Sequence, residues 1–182
     1  MSHFSSIINS MIRVNLAGEN GAVDICNGQI ATIKSHIFRN ELQQMLEQEQ
    51  KHLLFFTNFA QRNKVRPTIM SPIWKIGAVV LGKVTGMMGE KFAAATISAI
   101  EEVIAKHYQK QLIEIERIIK TMSSGEIDML ELQSAIEEFK NDELNHKQTA
   151  LQIDFANNKI ITLHYKMVKI ITIAAVKISK AI

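Results

Sequence analysis

The stretch KNDELNHKQ, residues 140–148, decides how this chain folds, because it places a carboxylate and an imidazole on the apolar face of a helix. Steps of three and four residues join both groups to apolar neighbours in one stripe: Met129, Leu132, Ile136, Phe139, Glu143, His146, Ala150 and Ile153. A stripe with this period is the face that an amphipathic helix buries. Four flanking polar residues of the stretch are predicted to face solvent: Lys140, Asp142, Asn145 and Lys147.

Apolar periodicity predicts that this helix is one of four long helices, over about residues 10–35, 38–62, 90–120 and 126–157. Pro67 and Pro72 mark a connector at 65–72, since proline cannot continue a helix interior. Ser123 and Glu126 have the spacing of a capping box at the start of the fourth helix. Two further segments, 73–89 and 159–182, are apolar or amphipathic.

Composition agrees with an all-α protein. The 182 residues are 47% apolar and include only 8 Gly and 2 Pro, which leaves few helix breakers. This length suits a single domain, residues 1–182, with a hydrophobic core. The net charge of +3 is too small to indicate nucleic-acid binding, and the single cysteine, Cys26, excludes an internal disulfide. The first ten residues lack the pattern of a cleavable signal peptide.

Each long helix carries a glutamate on its apolar stripe. The pattern occurs twice, as one helix with a single glutamate followed by one helix with Glu-x-x-His. The residues concerned are Glu19, then Glu49 and His52, then Glu101, then Glu143 and His146. Glu101 continues the stripe of its helix better than Glu102, which falls on a predicted outer face with Ser98, Ala105 and Gln109.

Four glutamates on buried stripes need a partner, because burying an unpaired ion costs several kcal/mol. Protonation or pairing with Lys or Arg would serve, but the stripes place only His52 and His146 beside these carboxylates. Two divalent cations would balance four carboxylates and two neutral imidazoles. This is the ligand set of ferritin-like di-iron four-helix bundles, and mixed oxygen and nitrogen ligands suit iron or manganese. The alternative is that the four glutamates are half-exposed and their alignment is coincidental.

Five segments resemble the demethoxyubiquinone hydroxylases of ubiquinone biosynthesis: IRVNLAGENGA (12–22), LEQEQKHL (46–53), RPTIMSPIW (66–74), AIEEVIAKHY (99–108) and KNDELNHKQTAL (140–151). The resemblance implies that the six glutamate and histidine residues above bind two iron ions. It also implies that His107 and Tyr108 lie near the centre and help to relay electrons or protons. The implied reaction hydroxylates the ring of a demethoxyubiquinol, a polyprenyl benzoquinol, with molecular oxygen as co-substrate and electrons ultimately from NADH.

The chain departs from the family pattern next to Glu19. Leu16 and Asn20 stand where the family usually has His and Tyr. Glu19 itself remains, so the departures bear on efficiency more than on the class of reaction. The chain also has no Gly-rich dinucleotide fingerprint, so a contact with NADH would not use a Rossmann fold.

Two segments suit contact with membrane lipid, where a polyprenyl substrate resides. In 73–89, Ala78, Gly82 and Gly86 form a ladder of small residues that permits close helix packing. The last segment places Lys166, Lys169, Lys177 and Lys180 on one face, as in helices that lie on anionic lipid. The alternative is that both segments simply pack on the bundle.

These features predict a peripheral membrane protein at the cytoplasmic face of a bacterial inner membrane, or at the matrix side of the mitochondrial one. Expected partners also include a second copy of the chain or other ubiquinone-biosynthesis proteins, and no nucleic acid. Two other functions stay open: ferritin-like iron binding or storage, and non-enzymatic binding of a quinone or lipid.

Overall fold

The computed structural model describes residues 3–121 and 127–181, and over these ranges it contains α-helices and no strands. The helices are α1 (His3–Thr32), α2 (His36–Arg62), α3 (Ser71–Met88), α4 (Glu90–Thr121), α5 (Ile127–Leu151) and α6 (Lys159–Ala181). The predicted all-α class is confirmed. The predicted capping box of Ser123 and Glu126 lies outside the described residues.

Helices α1, α2, α4 and α5 form the four-helix bundle, and the two halves of the chain are built alike. In the first half, α1 packs against α2 and carries α3 on its outer side. In the second half, α4 packs against α5 and carries α6. Each outer helix also contacts the other half of the chain, because α3 touches α4 and α6 touches α1. This arrangement agrees with the repeat of glutamate positions that the sequence shows.

The core consists of two apolar clusters with a polar layer between them. One cluster includes Phe56, Phe59, Leu132, Ile136 and Phe139, and the other includes Ile33, Leu42, Met45, Ile97 and Ala150. Along α2 and α5, the residues of the Glu-x-x-His motifs stand between residues of the two clusters. The polar layer is therefore enclosed by packed side chains on both sides along the bundle.

Two helix ends differ from the sequence prediction. Helix α1 begins earlier, because no residue between His3 and Ser10 breaks a helix and Ile7 and Ile8 pack against the core. Helix α5 ends at Leu151 rather than near residue 157. Asp154 and Asn157 bond to each other in the following turn, and Asn158 Oδ1 accepts from the backbone N–H of Ile160 at 2.9 Å. Short polar side chains of this kind favour turns and N-caps over helix interiors.

Helices α1 and α3 approach so closely that glycine is required at the contact. Ala78, Gly82 and Gly86 are buried, as the ladder of small residues predicts. A Cβ atom on Gly82 would clash with the carbonyl oxygen of Ile25, and one on Gly28 would lie 2.8 Å from the backbone nitrogen of Lys83. Gly89, with φ of 102°, then ends α3 in a conformation that favours glycine.

Glu102 is not on an outer face, as the sequence suggested, but joins three helices. Its carboxylate accepts from Lys106 at 2.6 Å, Lys169 of α6 at 2.6 Å and Lys147 of α5 at 3.4 Å, and also from the Tyr165 hydroxyl. These donors hold the pKa of Glu102 well below its usual value, and the hydrogen bond from Lys106 has the largest effect. Lys169, predicted to belong to a lysine face for lipid, therefore attaches α6 to the bundle.

Helices α3 and α6 each expose a row of large apolar side chains. On α3 the row is Ile73, Ile76, Val80, Val84 and Met87, and on α6 it is Ile160, Leu163, Met167, Ile170 and Ile171. The two helices meet where Trp74 Nε1 donates a hydrogen bond to Ser179 Oγ at 3.0 Å. Within the two described ranges, no helix has the length and hydropathy needed to cross a membrane.

The contact between α1 and α3 is testable by replacing glycines of α3. We expect Gly82→Ala to lower the free energy of unfolding by about 1–3 kcal/mol, because the new methyl group must push two backbones apart. Gly77→Ala is the matched control, since its Cβ would meet nothing within 4 Å. Urea unfolding followed by circular dichroism measures both. Equal stability of the two variants would contradict the close contact.

Candidate metal centre

The six predicted metal ligands meet in one buried layer of the bundle. Glu19 comes from α1, Glu101 from α4, and the two Glu-x-x-His pairs from α2 and α5. None of the six is more than 6% exposed. This excludes the alternative of half-exposed glutamates whose alignment is coincidental. Their role as ligands remains a prediction, which the geometry of the cluster makes specific.

The six residues form two overlapping groups of potential ligands. The first group is Glu19, Glu49, His52 and Glu143, and the second is Glu49, Glu101, Glu143 and His146. In each group the oxygen and nitrogen atoms lie within 4.8 Å of one another. Glu49 and Glu143 belong to both groups, so these two would be shared between two cations. The sequence could not decide which glutamates are shared.

Both histidines turn the same ring nitrogen towards the glutamates. His52 Nδ1 lies 3.5 Å from Glu19 Oε2 and 3.6 Å from Glu143 Oε1. His146 Nδ1 lies 3.1 Å from Glu49 Oε1 and 3.4 Å from Glu143 Oε2. The i, i+3 spacing within each motif puts its glutamate and histidine on one helix face. The two imidazoles thus present equivalent nitrogen atoms to the inside of the cluster.

The electrostatics of the cluster favour a cation. Burial, followed by the charge of Glu143, raises the pKa of Glu49 and of Glu101 well above the usual value. Burial alone would lower the pKa of both histidines, but the surrounding carboxylates raise it to about 11 for His52 and about 9 for His146. The protein groups therefore compete for protons, and two divalent cations would satisfy the same carboxylates and release the protons.

Several buried oxygen and nitrogen atoms of the cluster lack a hydrogen-bond partner, which also suits a metal site. Glu49 Oε2, Glu143 Oε2 and the Nδ1 atoms of both histidines are buried and have no hydrogen-bond partner of acceptable geometry. No Lys or Arg in the described ranges forms an ion pair with any of the four glutamates. Oxygen and imidazole donors in this proportion suit iron or manganese. The residues present therefore fit a two-metal centre.

The outer ring nitrogens of both histidines have partners that the sequence analysis missed. His52 Nε2 donates to Asp142 Oδ2 at 3.1 Å, and His146 Nε2 donates to Gln48 Oε1 at 2.7 Å. Asp142 was predicted to face solvent, and this prediction is wrong because its carboxylate turns inwards to His52. The available signal was positional, since Gln48 and Asp142 each stand directly before the glutamate of a Glu-x-x-His motif.

The structure separates the two residues of the predicted relay. Tyr108 is buried and its hydroxyl donates to the carboxylate of Glu19. His107 points away from the cluster, and its Nε2 accepts a hydrogen bond from Gln111 Nε2 at 2.7 Å. Gln111 is in turn paired with Asn15 through two buried hydrogen bonds of 2.8 and 2.9 Å. Tyr108 thus contacts a predicted ligand directly, whereas His107 does not.

His107 forms part of the wall of a basic cavity of about 820 Å³. The cavity lies between α1, the α2–α3 connector, α4 and the end of α6, and its cationic lining residues are Arg13, Lys64, Arg66, Lys110 and Lys180. Burial, with the nearby charges of Lys180 and Lys110, lowers the pKa of His107 to about 4. His107 is therefore neutral at pH 7 and accepts from Gln111, while the lysines and arginines supply the positive charge.

The two departures from the family pattern have local explanations. Leu16 is buried and joins the apolar cluster that contains Phe56 and Tyr108. Asn20 is exposed, and its amide donates to the backbone carbonyl of Leu16 at 2.7 Å. Both residues are thus accommodated on α1 while Glu19 keeps its place in the cluster.

The chain is similar over most of its length to proteins of ubiquinone biosynthesis. The family model described as "Ubiquinone biosynthesis protein COQ7" matches residues 6–179. A mitochondrial NADPH-dependent 3-demethoxyubiquinone 3-hydroxylase of Dictyostelium discoideum is 34% identical over 173 residues, which are 95% of this chain and 76% of that protein. A 3-demethoxyubiquinol 3-hydroxylase of Rhodospirillum rubrum is 36% identical over 154 residues, 84% of this chain and 66% of the relative.

A third relative is the mitochondrial 5-demethoxyubiquinone hydroxylase of Saccharomyces cerevisiae, 33% identical over 158 residues, or 82% of this chain and 67% of that protein. The family match spans all six predicted ligands as well as His107 and Tyr108. The resemblance noted in the sequence is thereby confirmed, and this chain belongs to the COQ7 family of ubiquinone biosynthesis proteins.

Proposed function

We propose that this chain is a di-iron monooxygenase that hydroxylates the ring of a demethoxyubiquinol, a polyprenyl benzoquinol, in ubiquinone biosynthesis. The observation that carries the proposal is the buried pair of four-residue groups, which share Glu49 and Glu143. Membership of the COQ7 family and the hydroxylase names of its relatives support the choice of substrate. Molecular oxygen is the co-substrate.

The residues of the chain have separable tasks in this reaction. Two iron ions, when bound, would supply the activation of oxygen. The six ligands would hold the ions, and the outer hydrogen bonds orient His52 and His146 so that their Nδ1 atoms face the cluster and would take a cation in place of a proton. Phe139, whose ring centroid lies 4.0 Å from that of His52, helps to exclude water. Tyr108 holds a proton at its hydroxyl oxygen, within reach of Glu19.

Two other functions are compatible with the same fold and have less support. A ferritin-like storage protein would hold iron without acting on a quinol, and a quinone or lipid carrier would need no metal. The exposed apolar rows of α3 and α6 argue against a storage shell with a polar surface. The complete set of buried ligands argues against a carrier that has lost its metals.

Genetic complementation distinguishes these functions. We expect the chain to restore ubiquinone and remove demethoxyubiquinone in a strain that lacks the hydroxylase. Glu143→Ala should abolish this activity, because Glu143 belongs to both groups of ligands. Glu138→Ala, an exposed glutamate of the same helix, is the control and should stay active. Quinones are measured in lipid extracts.

Accumulation of demethoxyubiquinone despite normal expression of the wild-type chain would overturn the proposed reaction. Iron analysis after anaerobic reconstitution gives an independent measure. Less than about one iron per chain would count against a two-metal centre, since a preformed set of ligands should bind both ions.

Electrons would come ultimately from NADH, and the name of the Dictyostelium relative indicates NADPH for that protein. We propose the basic cavity as the contact site for the nucleotide. Arg13, Lys110 and Lys180 line it, and lysine and arginine are the usual partners of phosphate groups. His107 lies on its wall, one residue from Tyr108, which contacts Glu19. The cavity thus includes one residue of the predicted relay, His107, in its wall.

Reversing one charge of the cavity tests this contact. We expect Lys180→Glu to raise the KM for NADH about tenfold and to leave turnover with a chemical reductant unchanged, because a charge-assisted contact is lost. Lys177→Glu, on the exposed surface of α6 outside the cavity, is the matched control. Equal KM values in the two variants would place the nucleotide elsewhere.

The apolar rows of α3 and α6 are proposed as the surface that meets the membrane. Their side chains recur every three or four residues, apart from the adjacent pair Ile170 and Ile171, so each row occupies one helix face. A contiguous group of exposed apolar side chains usually marks an interaction surface. Contact with lipid would give a peripheral protein access to a polyprenyl substrate, at the cytoplasmic face of a bacterial inner membrane or at the matrix side of the mitochondrial one.

Flotation with anionic liposomes measures this contact. We expect Ile76→Glu combined with Ile170→Glu to reduce the bound fraction strongly, because both residues are at least 66% exposed and a charge opposes burial in lipid. Leu130→Glu, a 53% exposed residue of α5, should bind like the wild-type chain. Undiminished binding of the double variant would move the membrane surface to another part of the protein.

A further inference from the structure

The two Glu-x-x-His helices exchange hydrogen bonds across the bundle. Gln48 stands directly before Glu49 on α2, yet its side chain contacts His146 of α5. Asp142 stands directly before Glu143 on α5, yet its side chain contacts His52 of α2. A carboxylate oxygen and an amide carbonyl oxygen only accept, so Nε2 carries the proton in both imidazoles. Nδ1 of each ring is thereby the nitrogen that faces the glutamates and would take a cation in exchange for its proton.

The inner ligands of the two groups are chemically identical. Each group contains three glutamates and one histidine, and two of the glutamates are common to both. A difference between the two cation positions must therefore come from the surroundings of the ligands. The clearest difference is the partner of the histidine, since His52 has a carboxylate and His146 has a neutral amide.

A carboxylate partner makes an imidazole a better ligand than an amide partner does. A hydrogen bond to an ionised acceptor is about twice as strong as one between neutral groups, and it shifts electron density towards the inner nitrogen. The negative charge of Asp142 also attracts the cation itself. Asp142 is 23% exposed, so solvent screens this attraction without removing it.

Tyr108 acts in the opposite direction on the same position. Its hydroxyl donates to Glu19, which belongs only to the group of His52. This bond withdraws electron density from one carboxylate oxygen of Glu19. Because the Tyr108 hydroxyl is neutral and Asp142 brings a full charge, the effect of Asp142 should be the larger of the two.

We propose that Asp142 and Gln48 are positioning residues that make the two metal positions unequal, so that the position with Glu19 and His52 binds its divalent cation first and more tightly. The inference rests on the two-metal centre of the proposed function. It assigns the difference to two residues that would not ligate a metal themselves.

Anaerobic titration of the 182-residue chain with Mn²⁺ tests the proposal, with free Mn²⁺ followed by electron paramagnetic resonance. The wild-type protein should bind two ions in two resolved steps. Asp142→Asn keeps the size of the side chain and removes its charge, and it should weaken the tighter step about 10–100-fold. The weaker step should change much less. Asp142→Glu, which restores the charge, should recover part of the lost affinity.

The reciprocal variant makes the test specific to position. Gln48→Glu places a charge beside His146 and should tighten the weaker step, which a general effect on folding would not do. Two matched controls change the same charges without touching a ligand: Glu138→Gln on α5 and Gln50→Glu on α2, both exposed. Circular dichroism confirms that each variant is folded.

The outcomes separate this inference from the proposed function. Two indistinguishable steps in the wild-type protein, or equal weakening of both steps by Asp142→Asn, would overturn the assignment while the two-metal centre stands. Binding of fewer than two ions by the wild-type protein would overturn the two-metal centre and this inference together. Two resolved steps that respond separately to Asp142→Asn and Gln48→Glu would support the assignment.

Discussion

Four glutamates buried in one layer of a helical bundle repel one another, and the rest of this structure depends on how that repulsion is offset. Burial and mutual charge raise the pKa of Glu49 and Glu101, while the two histidines hold protons strongly among the carboxylates. Two divalent cations would offset the same charges and would engage the carboxylate oxygens of Glu49 and Glu143 that otherwise have no partner. A buried layer that is costly for the fold alone is thus suited to bind cations.

The remainder of the fold keeps this layer dry and in register. Packed apolar clusters lie on both sides of it along the bundle, so the ligands cannot relax towards water. Close contact of α1 with α3, through Gly28 and Gly82, and the attachment of α6 through Glu102 add an outer helix to each half. The outer helices in turn expose the apolar rows on which the membrane proposal rests.

The repeat of the sequence acquires a physical meaning in three dimensions. Each half contributes one helix with a single glutamate and one with Glu-x-x-His, and the halves are joined by shared glutamates and exchanged hydrogen bonds. Neither half holds a complete group of ligands, because Glu49 of the first half and Glu143 of the second belong to both groups. Binding of a metal would therefore couple the two halves.

Much of the fold was predictable because a long amphipathic helix has a clear apolar period of three to four residues in its sequence. Spacing along the chain predicted the helix order and the convergence of six polar residues on buried faces. Of the two prolines predicted to lie in the connector, Pro67 does, whereas Pro72 stands in the first turn of α3, where proline is tolerated. The end of α5 was not predicted correctly, because Asp154, Asn157 and Asn158 select a turn through local hydrogen bonds that periodicity does not detect. The place of Glu102 was also wrong, since its partners Lys147 and Lys169 come from other helices.

The sequence by itself determined which residues lie on the buried faces, because a helix fixes the direction of each side chain about its own axis. It therefore determined the six residues of the centre and the chemistry that they can support. Only the tertiary structure decided which glutamates are shared, that Tyr108 faces Glu19 while His107 faces the basic cavity, and that Asp142 and Gln48 contact histidines of the opposite helix. These choices depend on the rotation and separation of neighbouring helices, which no spacing within one helix records.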